Sequence, residues 1–416
     1  MIDVAIIGAG FAGLAAAKRL TEADRRVALF EAMDRVGGRA WTVITPDGTV
    51  IDKGAQFVGR AQYRLRALLA EHGCTLFTVR AEPGVISLVQ GQRTTGAHGF
   101  LSDRFNEAIV TAGSEDGISL QDWMDSLSLT PREAAMMRSG IEELWGRSPA
   151  DLSYRTTHAR MADETGSTDN TLEWCCHQGL GTLADRMAAP MRDHIRLNTP
   201  VTAVDRVQGG FSVTAGGTTL ARQVIVVVPG PVMGHIDWRA PQDAWVRGVP
   251  NQFAGGWMIK VVLTYVHAFW RGTDFGWLGQ VDDPPGLCVL DGSDLAGGMD
   301  ALVIFAGGTA AARWKGLPEA QVLAEMLDIL APLTGEGIRA HTDAVLCDWT
   351  GHPWCGGGYN SWPRPWVDAD PVAQLLAPHG GLHFAGAELA TDYRGYIEGA
   401  LQTGTDAATR ILEEAT

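Results

Sequence analysis

Apolar residues run unbroken from Val4 to Ile7 and stop at three spaced glycines, Gly8, Gly10 and Gly13; a second apolar run, Val27 to Phe30, stops at Glu31. Short apolar, largely β-branched runs of this kind predict parallel strands buried on both faces. Between them, Phe11 to Leu20 is rich in alanine and leucine, which predicts a helix opening straight after the glycine turn. From about Leu76 to Ser167 the pattern reads as amphipathic helix, most clearly over Leu120–Leu127 and Arg132–Trp145. Gly179 to Ala188 opens another helix with glycines at its start. Strand periodicity then returns at Ile195–Asn198, Val201–Val204, Phe211–Thr214 and Val224–Pro229, and later at Val262–Tyr265 and Ala301–Phe305. The chain closes with a strand running into a loop, Leu382 to Glu388, and a helix start at Gly395 to Gly404.

The opening strand, turn, helix, strand and acid, taken in that order, form a dinucleotide-binding unit. Gly8 permits the tight turn, Gly10 lets the backbone approach a pyrophosphate, and Gly13 lets the helix pack closely on the sheet. The helix aims its N-terminal amides and dipole at the phosphates. Glu31 stands where a carboxylate accepts the hydroxyls of an adenosine ribose and repels a 2′-phosphate. The loop after it, Asp34 to Arg39, carries Gly37, Gly38 and two arginines that reach the same diphosphate from its other side.

At 416 residues the chain has length for two domains, and 46% hydrophobic with 19% charged residues describes a compact fold. A formal charge of −15, from 33 basic and 48 acidic residues, repels nucleic acid. The fingerprint begins at residue 4, leaving no length for a signal peptide, and no apolar run reaches the roughly twenty residues of a membrane span, so a cytoplasmic location without membrane contact is expected. The six cysteines show no metal-ligand spacing, so no metal is expected; free thiols are the default, with a vicinal Cys175–Cys176 disulfide as the alternative. A homodimer stays open.

Four separated motifs resemble the flavin-dependent amine oxidase family, the group containing monoamine and polyamine oxidases. They are Gly8-x-Gly10-x-x-Gly13, Glu31 through Arg39, Asp52 through Phe57, and Phe384 through Glu388 leading to Gly395, Tyr396 and Gly399. Weaker echoes lie at Val201, Lys260, Trp349 and Tyr359, so the likeness spans nearly the whole chain. The first two motifs alone also fit phytoene desaturases and protoporphyrinogen oxidases. The resemblance implies an α/β, two-domain FAD-binding amine-oxidase-like fold: a Rossmann-type dinucleotide-binding domain from 1–75, 180–245 and 348–416, and a mixed sheet-and-helix substrate domain from 76–179 and 246–347. It implies FAD held by Gly8, Gly10, Phe11, Ala12 and Gly13, with Glu31 and Ala32 at the adenosine ribose and Arg35, Gly38 and Arg39 at the diphosphate. Gly54, Ala55, Gln56, Phe57 and Trp349 would meet the flavin half, and the backbone of Val201 the adenine. Gly386 and Ala387 would also bind the cofactor and Glu388 would reach its ribityl or diphosphate region, while the amide of Ile397, at a helix start, would face the flavin's pyrimidine carbonyl, where charge gathers on reduction.

By the same resemblance, Lys260 holds a water against flavin N5, and Tyr359 and Tyr396 form an aromatic cage around the substrate amine. From the residues alone, Lys260 is a lone charge in an apolar strand, costly unless partnered. Phe57, Trp174 and Trp354 are further substrate-binding candidates. Two departures matter. Gly358 stands where covalent members carry the cysteine that bonds the flavin, and Cys355 is three residues early, so non-covalent FAD is expected. Phe57 stands where L-amino-acid oxidases carry a carboxylate-binding arginine, which favours amines over amino acids. The expected activity is amine oxidation to an imine, then an aldehyde or ketone, with O2 reduced to H2O2. The alternatives are a desaturase or protoporphyrinogen-oxidase-like enzyme acting on carbon–carbon bonds, an amine dehydrogenase with a protein electron acceptor, and a flavin-bearing scaffold without turnover.

Overall fold

The computed structural model describes residues 1–79, 84–96, 117–157, 171–367 and 370–414. Its first sheet is the one the glycine fingerprint predicts. Strand Ile2–Ile7 lies at the centre, parallel to Val27–Phe30 on one side and to Thr218–Val226 on the other. Ile195–Arg196 continues the sheet beyond Val27–Phe30, and Leu382–Phe384 runs parallel to the end of Thr218–Val226. Val4 to Ile7 and Val224 to Val226 are at most 3% exposed, as strands covered on both faces must be. Segments from the beginning, middle and end of the chain therefore meet in one sheet.

Helix Phe11–Thr21 packs on the C-terminal helix Ile397–Glu414 so closely that a Cβ added at Gly404 would lie 2.1 Å from the Ala12 carbonyl oxygen. That close approach brings the N-termini of both helices to the same crevice. Gly13 works in the same way: its Cβ would sit 2.1 Å from Gly8 O, so any side chain there would part helix from strand.

The second sheet has seven strands in the order Asp343–Asp348, Met258–Tyr265, Asp300–Gly307, Pro285–Asp291, Leu278–Asp282, Val85–Val89, Gln92–Gly96. All its pairings are antiparallel except Leu278–Asp282 with Val85–Val89. Helix Pro131–Trp145, with a capping box from Thr130 and Glu133, packs on the inner strands Leu278–Asp282 and Pro285–Asp291 and is tied there by Ser139, whose Oγ accepts from Gly286 N at 3.1 Å and donates to Val281 O.

The helices expected at Leu120–Leu127 and Arg132–Trp145 are present as Leu120–Ser126 and Pro131–Trp145. The amphipathic reading from Leu76 was wrong in its first part: Leu76–Thr78, Val85–Val89 and Gln92–Gly96 are strands, short enough that period alone did not separate them from helix turns. Within that stretch, 80–83, 97–116 and 158–167 lie outside the described residues. All six cysteines are buried free thiols, so the vicinal disulfide is not formed. Among the described residues no helix is long and apolar enough to cross a membrane.

Candidate active site

One cavity of about 330 Å³ runs between the two sheets, from Glu31 and Val201 at one end to Lys260, Tyr359 and Tyr396 at the other. Its first half is mostly backbone. Gly8 takes a left-handed φ of +107° and donates its N–H to Phe30 O at 2.8 Å, closing the turn. A Cβ on Gly10 would lie 4.0 Å from Gly38 Cα and one on Gly38 3.5 Å from Gly10 Cα, so the two glycines touch, and both line the cavity with bare backbone that a diphosphate can approach. Glu31 is 5% exposed; its Oε2 accepts from Ala9 N at 2.7 Å and its Oε1 from Met33 N at 2.9 Å. Each oxygen keeps a further lone pair for a ribose hydroxyl, and the two amides hold the carboxyl in one pose. These features fit FAD as the resemblance requires.

Arg39 joins the halves. Its guanidinium pairs with Glu388, Nη1 to Oε1 at 2.7 Å and Nη2 to Oε2 at 3.1 Å, and also donates to the Tyr359 carbonyl. Ser361 Oγ donates to the same carboxylate at 3.2 Å. A bidentate, largely buried pair of this kind fixes geometry more than it adds stability.

Side chains build the other half. Lys260 comes from the middle of a wholly buried strand and is itself 2% exposed. Its Nζ donates to Asp52 O at 2.6 Å and Gly54 O at 2.9 Å, and Trp349 Nε1 donates to Lys53 O at 3.0 Å. Three successive carbonyls are thus satisfied from the second sheet, which pins the Asp52–Gly54 turn against it. Burial pushes the Lys260 ammonium down to about 8, while the Asp52 carboxylate works the other way. Burial likewise raises Asp52 to about 6, against hydrogen bonds from Thr42 and from Leu180 N at 3.0 Å.

Tyr359 follows three glycines and takes a φ of +52°, a left-handed conformation that costs a non-glycine residue about 1 kcal/mol or more. It is held there by flanking bonds, Gly358 N to Gly256 O and Gly256 N to Asn360 O, both 2.8 Å. Its ring stands 5.7 Å from that of Phe305, which in turn is 6.4 Å from Phe57, so three rings make one wall. Tyr396 stands beside Tyr393 at 6.0 Å, just ahead of helix Ile397–Glu414. Burial, and secondarily the Glu143 charge, push the Tyr359 phenol well up.

Most of the expected residues line this cavity: Gly8, Gly10, Phe11, Ala12, Glu31, Ala32, Gly38, Arg39, Gly54, Ala55, Gln56, Phe57, Val201, Lys260, Trp349, Trp354, Tyr359, Gly386, Ala387, Tyr396 and Ile397. Four do not. Gly13 serves the helix–strand contact, Glu388 holds Arg39, and Arg35 turns to the carbonyls of Val36 and Ala40 and the face of Trp41. Trp174 lies in strand Trp174–Cys176, with Arg60 and Arg66 over its ring, outside the cavity lining. Trp354 lines the cavity edge-on to His235, beside the nucleotide sheet's own loops. Sequence reasoning missed Glu143, Leu290, Phe305 and Arg394, which also line it. Glu143 had a signal, an acid between Ile141 and Leu144–Trp145 in an apolar stretch of helix.

A nucleotide crevice continuous with a buried ammonium and two tyrosines defines a flavoenzyme of the amine-oxidase type. The sequence profile of the flavin containing amine oxidoreductase family matches residues 11–412, and the chain belongs to that family. It is an oxidoreductase that acts on amines. Among its relatives, an L-amino acid dehydrogenase of Synechocystis sp. is 27% identical over 99% of this chain and 94% of its own length. Cyclohexylamine oxidase from Brevibacterium oxydans superposes with a TM-score of 0.90 at 24% identity, covering 100% and 99% of the two chains. A putrescine oxidase bound to putrescine gives 0.83 at 25%, covering 99% of each.

Proposed function

We propose that the chain is a non-covalent FAD oxidase that converts an amine to an imine, which hydrolyses to an aldehyde or ketone, with O2 reduced to H2O2. The carrying observation is that Lys260, Tyr359 and Tyr396 line the same cavity as Glu31, Gly10 and Gly38. FAD, when bound there, supplies the acceptor for the hydride leaving the amine α-carbon. Gly10, Gly38 and Arg39 would hold its diphosphate, Glu31 its ribose, and Val201 and Ile397 would meet its two ends. The Tyr359 and Tyr396 rings orient a neutral amine and favour the positive charge that develops on its nitrogen. Lys260, anchored by two carbonyls, keeps a third N–H with which to hold a water at the reacting edge.

A Cβ at Gly358 would lie 2.6 Å from Met258 Cβ, so no side chain fits where a covalent link would arise; burial also pushes the Cys355 thiol up to about 12, far from a reactive thiolate. Both support non-covalent FAD. Phe57 in the aromatic wall supports amines over amino acids. The two structural neighbours act on a monoamine and bind a diamine respectively, and so leave the substrate class undecided between them. The dehydrogenase name of one relative favours a second reading, in which electrons pass to another acceptor. Oxygen uptake and peroxide release by the FAD-loaded enzyme, over a panel of primary, secondary and polyamines, test the proposal. Equimolar uptake and release support it. Amine-dependent flavin bleaching without oxygen uptake moves it to the second reading, and bleaching by a polyene or porphyrinogen but no amine overturns it.

A further inference from the structure

The protein supplies a cation for most of its buried carboxylates: Glu388 faces Arg39, Glu398 faces Arg64, Glu142 faces Arg138 and Asp243 faces Arg206. Glu143 is different. It stands on the cavity wall from helix Pro131–Trp145, and its described partners are both neutral: Gln280 Nε2 donates to its Oε2 at 3.2 Å, and the Cys288 thiol lies against it. Gln280 and Cys288 are at most 1% exposed, so these partners are fixed. Two carboxylates line the cavity among the described residues, and Glu31, the other, is at the nucleotide end. Cys288 pairs in register with Phe305, whose ring stands 5.7 Å from that of Tyr359, which puts the Glu143 carboxyl on the cage side. Leu144, Leu172, Leu290 and Phe305 give the cavity apolar surface, and Arg394, near Tyr396 in sequence, is a cation on its wall.

A carboxyl on an apolar wall with no cation opposite it among the described residues is costly to ionise, and desolvation pushes its pKa up. An arriving ammonium changes the balance, because in a dry, apolar pocket a hydrogen-bonded ion pair is the stable alternative to two separated neutral groups. We propose that Glu143 is the subsite for a second ammonium of the substrate, so that the enzyme takes α,ω-diamines: one nitrogen lies between Tyr359 and Tyr396 and the other is held by Glu143. On binding, the carboxylate accepts an N–H of the distal ammonium. The Gln280 amide keeps the carboxylate aimed. This rests on the amine-oxidase reading and names its substrate.

Anaerobic flavin reduction of the holoenzyme by diamines of three to six carbons, each compared with the monoamine of equal carbon count, tests the subsite. At least one diamine is expected to exceed its monoamine about tenfold or more in kcat/KM, chiefly through KM. Glu143→Gln, which keeps the shape and the bond to Gln280, should collapse that ratio to near one. Glu143→Asp should restore a preference and move the optimum to a diamine about one methylene longer, which a structural role would not do. Monoamines equalling their diamines in the unmodified enzyme, or a diamine preference that survives Glu143→Gln, would overturn the proposal. Should no amine reduce the flavin, the amine-oxidase reading fails; calorimetric titration with the same diamines then decides the subsite separately, since loss of tight binding in Glu143→Gln upholds it and equal binding ends it.

Discussion

The two halves of the cavity are made of different material. Around Glu31 and Gly10 the wall is main chain, shaped by glycines and held by amide hydrogen bonds within one compact strand–helix–strand unit. Around Lys260 the wall is side chains brought from five separated segments, each fixed by its own buried contact: Lys260 by two carbonyls, Tyr359 by a left-handed turn, Phe305 by strand register, Glu143 by Gln280, Tyr396 by a helix start. A backbone site fails when space is filled and survives most truncations; a side-chain site does the reverse. Cofactor content and turnover should therefore respond to different substitutions.

Adding a side chain to the cavity's glycine wall gives the largest effect. Gly10→Val places a branched side chain where Gly10 lines the cavity beside Gly38, and should yield folded protein that binds essentially no FAD, read by flavin absorbance and by a melting temperature close to that of the cofactor-free parent. A variant that stays fully yellow would break the comparison. Next in size, Lys260→Met should retain FAD while slowing flavin reduction or reoxidation about 100-fold, by stopped-flow, because it removes the one described ammonium bonded across the turn. Tyr396→Ala should cost about tenfold in amine-dependent reduction with FAD content unchanged; equal loss of both would make it a packing residue.

The smallest effect concerns pH. The Lys260 pKa is about 8 in the fold against 10.5 when free, so between those values the unfolded chain holds the extra proton and stability rises with pH. The unmodified enzyme should therefore gain up to about 3 kcal/mol relative to Lys260→Met between pH 8 and 10.5, and show no relative change from pH 6 to 7. Denaturant titrations across that range check it, and a constant difference would mean that the ammonium is not buried as described.

The backbone half was legible in the sequence because its determinants are local. Gly8, Gly10, Gly13 and Glu31 are spaced by one turn, one helix and one strand; Gly8 closes the turn and Gly13 the helix–strand contact as expected, and Gly10 and Glu31 line the cavity. The side-chain half was legible only through family likeness, which placed Lys260, Tyr359 and Tyr396. Phe305 reaches the site because it pairs with Lys260 across two antiparallel strands, a register no local pattern states. Trp174 shows the converse: an aromatic residue in the right region whose strand turns it toward Arg60 and Arg66 instead of the cavity. Glu143 was hidden because an acid on a helix is ordinarily read as its solvent face.

The division of labour between backbone and side chains is tested most directly by one experiment: adding amine to the yellow holoenzyme without oxygen, followed by acid precipitation. The account expects the flavin to bleach with one equivalent of a good amine, and unmodified FAD to appear in the supernatant. Flavin that no amine bleaches, or that precipitates with the protein, would contradict it.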